Sequence, residues 1–149
     1  MPEDPTRVYF SFFNEVGIIA QLSRAMFEAR MPEGMLLPHF SVLNHLIRVG
    51  DGATPLKLAR AFQVPKTSMT HTLAGLEDRA LIRMAPNPKD ARSKCVWITD
   101  AGRVFRDKAI ASLAPDIERL AKAFPAGNLE AMLPSLEAMR KTLDEDRSA

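Results

Sequence analysis

The chain is poor in the residues that usually carry chemistry: one cysteine, one tryptophan, one tyrosine and three histidines in 149 residues. A single cysteine, Cys95, excludes an internal disulfide framework and suits a reducing cytoplasm. His39, His45 and His71 show no paired metal-ligand spacing, and neither a Gly-rich phosphate loop nor a nucleophile elbow is present. A nucleophilic Cys95 would need one of those histidines in reach. The expectation is therefore a protein that is not an enzyme and needs no cofactor or metal. No apolar run approaches the roughly 18 residues of a membrane span. The start, MPEDPTR, is acidic and lacks a basic-then-apolar leader pattern, so a cytoplasmic, membrane-free chain is expected.

What is present fits one folded domain, 1–149, with 46% hydrophobic and 26% charged residues. Net charge is only +2, but it is unevenly placed. Between Arg60 and Lys108 stand ten Lys/Arg against five Asp/Glu, a balance of +5, while the rest of the chain balances at −3. A local basic face of this kind is the footprint of phosphate binding.

Apolar spacing predicts a long helix over about Pro5–Arg30, with Val8, Tyr9, Phe10, Phe12, Phe13, Val16, Ile18, Ile19, Leu22, Met26 and Phe27 covering more than one stripe, so that part of its burial comes from a second subunit. MPEGMLLP, residues 31–38, interrupts it, and a helix over His39–Val49 buries Phe40, Leu43, Leu46 and Ile47. After the turn Gly50-Asp51-Gly52, Thr54-Pro55 reads as a cap and first helical residue of a short helix to Phe62, with Leu56, Ala59 and Phe62 inward. Gln63-Val64 turns the chain, and Pro65 opens a second helix to about Arg79, packed through Met69, Leu73 and Leu76. Two β-type runs follow, Leu81–Ala85 and Lys94–Ile98, around a charged loop, Pro86–Ser93. A hairpin this small is not stable alone and must lean on the helices before it. Thr99-Asp100 caps a helix to about Phe124, bent or broken at Pro115, with Val104, Phe105, Ile110, Leu113, Ile117 and Leu120 inside. A last helix aligns Leu129, Met132, Leu133, Leu136, Met139 and Leu143. The fold class is mainly α (α+β by strict count): a winged helix-turn-helix with a two-stranded wing and long terminal helices.

In three blocks the sequence resembles the MarR-type winged helix-turn-helix transcriptional regulators. They are Pro55–Arg83, the wing signature Asp90-Ala91-Arg92-Ser93, and Val96-x-Ile98-Thr99-Asp100-Ala101-Gly102, close to that family's VxLTxxG. Together with the long terminal helices, the resemblance spans nearly the whole chain. Two positions depart from it. Ala80 stands where a glycine commonly ends the recognition helix, so that helix end is expected to use another geometry. Gly75 lies inside the helix, where it costs about 1 kcal/mol against alanine; a close approach by a neighbouring backbone is one explanation.

The resemblance implies dimerisation helices at 5–38 and 100–145 around a DNA-binding lobe at 39–99. It also implies a homodimeric repressor on an inverted-repeat operator, responsive to a small aromatic or phenolic effector. Lys66, Thr67, Ser68, Thr70 and His71 form the outward end of the recognition helix. Their hydroxyls pair with several bases, so groove shape and the wing are expected to carry much of the preference. In the wing, Arg92 is long enough to enter a minor groove, Asp90 steadies it through paired hydrogen bonds, and Lys89 and Lys94 meet phosphates. The effector pocket implied by the family is assigned to Phe12, Met26, Met31, Met35, His39 and Phe40. Strand alternation points Cys95 away from the core, beside Lys94. Two alternatives stay open: a redox-responsive regulator acting through Cys95, and a winged-helix protein-docking module without DNA binding.

Overall fold

The structure, a computed structural model, describes residues 4–148. It divides into two compact units, Met1–Ser112 and Leu113–Ala149. The first contains α1 (Pro5–Glu28), α2 (Leu37–Arg48), α3 (Pro55–Ala61), α4 (Lys66–Asp78), β1 (Ile82–Asn87), β2 (Asp90–Ile98) and α5 (Asp100–Ala111). The second contains α6 (Ala114–Ala123) and α7 (Ala126–Ser148). No helix among the described residues is long and apolar enough to cross a membrane.

Helix starts follow the local chemistry. The Asp4 carboxylate accepts from Thr6 N–H, Thr54 Oγ1 from Lys57 N–H and Thr99 Oγ1 from Gly102 N–H, each satisfying a donor that the helix itself cannot. Pro65 is the N-cap of α4, one residue before its expected place. Leu36, at the start of α2, has no acceptor to offer. Two other residues serve that end: His39 Nδ1 accepts from Leu36 N–H and Glu28 Oε1 from Leu37 N–H, both at 2.9 Å. The Leu37 bond, with Arg24 beside it, holds the Glu28 carboxyl below the usual carboxylate range.

The core of the first unit joins Val42, Leu43 and Leu46 of α2, Leu58 of α3, and Met69, Leu73 and Leu76 of α4 to Leu81, Ile82, Val96 and Ile98. The expected inward face of α4 is thus observed. That of α3 is observed at Ala59, which is buried, and Phe62, which packs against the core, but not at Leu56, which is exposed while Leu58 is fully buried in its place. In α2, Val42 joins the core, whereas Phe40 is only half-buried.

Strands β1 and β2 pair antiparallel from Ile82↔Ile98 to Pro86↔Lys94, slip at Pro86/Asn87 and close at Asn87↔Asp90. The wing loop expected at Pro86–Ser93 is therefore only Pro88-Lys89, and Asp90, Arg92, Ser93 and Lys94 belong to a strand. Asn87 makes this possible: its Oδ1 accepts from Lys89 N–H and its Nδ2 donates to Ser93 Oγ, each at 3.0 Å.

The helix expected from Asp100 to Phe124 is two helices, α5 and α6, with Pro115 in the first turn of α6. Only Gly102 and Ala109 of α5 are buried; Val104 and Ile110 face solvent. In the second unit Ile117, Leu120, Phe124, Leu129, Met132, Leu133, Leu136 and Leu143 are all exposed. In α1 only Phe27 is buried, while Tyr9, Phe10, Ile19 and Leu22 are each more than 60% exposed.

Candidate nucleic-acid interface

The α3–turn–α4 element is fixed by burial of one face of α4. Met69, Leu73 and Leu76 point into the core, which leaves Lys66, Thr67, Ser68, Thr70 and His71 exposed near the N-terminal end. Thr70 Oγ1 donates to Lys66 O at 2.9 Å and Thr72 Oγ1 to Ser68 O at 3.1 Å. Thr70 thus has an acceptor lone pair to offer rather than a free proton.

The C-terminal end of α4 corrects the expectation for Ala80. It adopts a left-handed φ of 58°, the conformation a glycine would favour. Ala80 N–H donates to Glu77 O and Leu81 N–H to Leu76 O, the double closure of a Schellman motif, and Thr99 Oγ1 donates to Ala80 O at 2.7 Å. Contacts on both sides thus hold an alanine in a backbone region that it rarely adopts. The turn fixes where β1 leaves the recognition helix.

On the wing, Lys89, Arg92 and Lys94 are exposed, and the Arg92 side chain is 92% exposed. Asp90 Oδ1 accepts from Arg92 N–H at 3.0 Å and from Arg92 Nε at 3.3 Å. Both bonds converge on one oxygen, so Asp90 orients the base of the side chain through a single edge and leaves the rest of the guanidinium fork available. An ion pair this exposed contributes at most about 1 kcal/mol to stability; its effect is on direction.

Asp51 anchors the wing, a role that the sequence reading missed. Its Oδ1 accepts from Ile98 N–H at 2.8 Å and its Oδ2 pairs with Arg103 at 3.5 Å. Ala53 bridges Val96, and Gly52 N–H donates to Val96 O. Gly52 and Ala53 thus add a single β-bridge to the edge of β2. Arg83, directly across from Trp97, lies 5.6 Å from the indole centroid and is another exposed cation that the sequence reading passed over. Neither has a periodic signature: Asp51 looked like a turn residue, and Arg83 one of many surface charges.

Cys95 is buried, contrary to its expected exposure beside Lys94. It shares a cavity of about 450 Å³ with His45, Lys57, Lys89 and Trp97, because the 49–54 loop covers the wing face opposite Val96. Alternation along β2 was read correctly; the second cover was not visible.

The six residues assigned to an effector pocket stand in different surroundings. Met35 is core and Met31 packs against it; Phe40 meets Phe27 at a tilt, centroids 4.6 Å apart, and Phe12 meets Phe13 edge-to-face at 5.4 Å; Met26 is half-buried. Of the six, His39 lines a groove of about 990 Å³ beside α4. Burial pushes its imidazole below the ordinary value, aided by the nearby charges of Arg79 and His71. Gly75 owes its place to His39: a Cβ there would stand 3.0 Å from His39 Nε2. The close approach expected at Gly75 is thus made by a side chain rather than a backbone.

Residues 33–93 match the family model described as the MarR family. The transcriptional regulator BldR from Sulfolobus solfataricus superposes with a TM-score of 0.78 at 21% identity, over 93% of this chain and 99% of that one. A MarR transcriptional regulator from Methanosarcina mazei Go1 gives 0.77 at 19%, over 90% and 96%. A cysteine-to-serine mutant of MarR from E. coli, complexed with operator DNA, gives 0.68 at 21%, over 92% and 99%. No curated protein matches the chain in sequence. The chain carries a MarR-family segment at residues 33–93, within a fold that is the MarR-type winged helix.

Proposed function

We propose that the chain is a DNA-binding transcriptional regulator that works as a homodimer on an inverted repeat. The observation that carries this reading is the pairing of two exposed polar devices on one lobe. One is the hydroxyl- and cation-bearing end of α4; the other is a wing whose tip projects Lys89, Arg92 and Lys94. Helix end and wing suit adjacent major and minor grooves. The E. coli relative was complexed with operator DNA, which supports the same use here.

The exposed apolar residues of α1, α6 and α7 support a dimer, since a monomer rarely leaves so much apolar surface in water. Two-fold symmetry then sets the two recognition helices about one DNA turn, roughly 34–36 Å, apart. Release of a repressor by a small aromatic or phenolic effector completes the reading and rests on family resemblance.

Selection of duplexes from a random pool, with wild type and Arg92→Ala in parallel, tests it. The expected outcome is an inverted repeat for the wild type and at least tenfold weaker retention of that site by the variant. Failure of both proteins to enrich any sequence, with weak retention even at low salt, would sink the regulator reading in favour of a protein-docking module.

A further inference from the structure

The cavity of about 450 Å³ behind the wing shares no lining residue with the groove beside α4. Three segments far apart in sequence form its walls: the end of α2 with His45 and Val49, the 50–54 segment with Lys57 of α3 just beyond it, and the wing with Lys89, Cys95 and Trp97. The indole of Trp97 is a fixed part of that wall. Gly52 holds a left-handed φ of 88° and lies so close that a Cβ there would stand 3.1 Å from the ring, while the Arg83 guanidinium is 5.6 Å from its centroid. Cys95, buried, adds a further weakly polar surface.

The charges on this cavity do not cancel. Lys57 and Lys89 both line it, and among the described residues neither ammonium has an ion-pair partner. Asp51 is the one carboxylate in the lining, and its two oxygens are already engaged by Ile98 N–H and Arg103. Burial, with the charges of Arg48 and Lys57, holds the His45 imidazole below its ordinary value, so that at neutral pH it contributes a neutral polar wall. A cleft with cations of one sign over low-dielectric walls concentrates its field on an anion. The apolar side of the lining, Val49 and Trp97, suits a flat ring, and the volume lies in the range of small-molecule sites. We infer that this cavity binds a small aromatic anion, its ring against Trp97 and its carboxylate or phosphate between Lys57 and Lys89. The binding stands apart from the regulator reading. One consequence rests on that reading: Lys89 is also assigned to the duplex, so an anion in the cavity and a DNA phosphate compete for the same cation.

Trp97 is the only tryptophan of the chain, so its fluorescence reports on this cavity directly. The test titrates the full chain, without DNA, with benzoate, phenyl phosphate and inorganic phosphate. The expected result is a saturable change with benzoate or phenyl phosphate, and binding of inorganic phosphate, which lacks the ring, weaker by about tenfold or more. Lys57→Gln and Lys89→Gln alter exposed side chains and should each weaken the aromatic probe about fivefold. His71→Gln, in the groove beside α4, should leave it unchanged. No saturable change with either aromatic anion, lysine variants that bind as the wild type does, or inorganic phosphate that binds as tightly, overturns the site. A loss in His71→Gln as large as in the lysine variants overturns it too, by placing the anion beside α4. Because these titrations contain no DNA, their failure is distinguishable from failure of the regulator reading. Retention of a selected duplex then checks the consequence: the saturating aromatic probe should lower it in the wild type and not in Lys57→Gln, and equal loss in both would refute competition through the cavity.

Discussion

Ala80 holds a left-handed backbone at the end of the recognition helix, and that conformation costs an alanine about 1–2 kcal/mol. Ala80→Gly removes the steric cost and adds some unfolded-state entropy, so the expected net gain is about 0.5–1 kcal/mol, or some 3 °C in thermal midpoint by calorimetry. Gly102→Ala goes the other way: a Cβ there would lie 2.1 Å from Leu81 O and 2.7 Å from Ile98 Cγ1, so the backbone must shift. The cost should reach about 3 kcal/mol in denaturant unfolding. The sequence marked both positions as family punctuation, but only the backbone shows that one is strained and the other is a contact. Acid sensitivity also belongs at this scale. His39 is held below the ordinary value of 6.5 by burial and by Arg79 and His71, His45 by burial and by Arg48 and Lys57. Unfolding lets both take up protons near that value. Stability is therefore full above it and falls as pH drops through 6.5 toward the folded values. Denaturant midpoints at pH 7.5 and pH 5.5 should differ in the wild type, and by less in His39→Gln/His45→Gln; equal differences would refute the assignment.

The wing owes its position to Asp51 rather than to its own two strands, since a lone hairpin is marginal in water. Asp51→Ala leaves Ile98 N–H without its acceptor, which costs about 1–3 kcal/mol for a half-buried donor. It also frees the strand end that carries the wing. Amide exchange at Ile98 and along β2 should quicken by at least tenfold, while Leu73 and Leu76 in α4 keep their protection; uniform loss of protection would mean global destabilisation instead. Much at this scale was legible. Thr54-Pro55 and the Met69/Leu73/Leu76 spacing located the helix-turn-helix, and Asp90-Ala91-Arg92-Ser93 located the wing. The misreadings have physical causes. A seven-residue helix completes only two turns, so Leu56 and Leu58 competed for one inward place and tertiary packing chose Leu58. Pro86 and Asp90 are turn formers by composition, yet the Asn87 side chain tightens the turn enough to keep both in strands. Cys95 obeyed alternation and was buried anyway, because the 49–54 segment covers the second face.

At the scale of the whole molecule, the apolar residues that satisfy helical periodicity at both chain ends fit core and subunit contact alike, and spacing alone cannot separate the two. Exposure does: Phe10 is 70% and Leu22 65% exposed on α1, and Met132 is 53% and Leu143 51% exposed on α7. Fully burying one such side chain is worth about 1.5–3 kcal/mol, so several together supply enough to offset the entropy of association. Phe10→Glu/Leu22→Glu is the sharper probe, because neither residue contributes to the core of Leu43, Leu58 and Leu76, and the folded lobe should survive. Sedimentation should report a dimer for the wild type and a monomer for the double variant, with the circular dichroism of each chain unchanged. DNA retention then separates lobe from assembly. A monomer keeps one reader's salt-dependent phosphate contacts but loses the second half-site, so its affinity for a selected repeat should fall at least a hundredfold and approach its affinity for arbitrary duplex. A double variant that stays dimeric would place the interface on other surfaces. A monomer that still binds the repeat as tightly as the wild type would remove two-fold symmetry from the recognition mechanism.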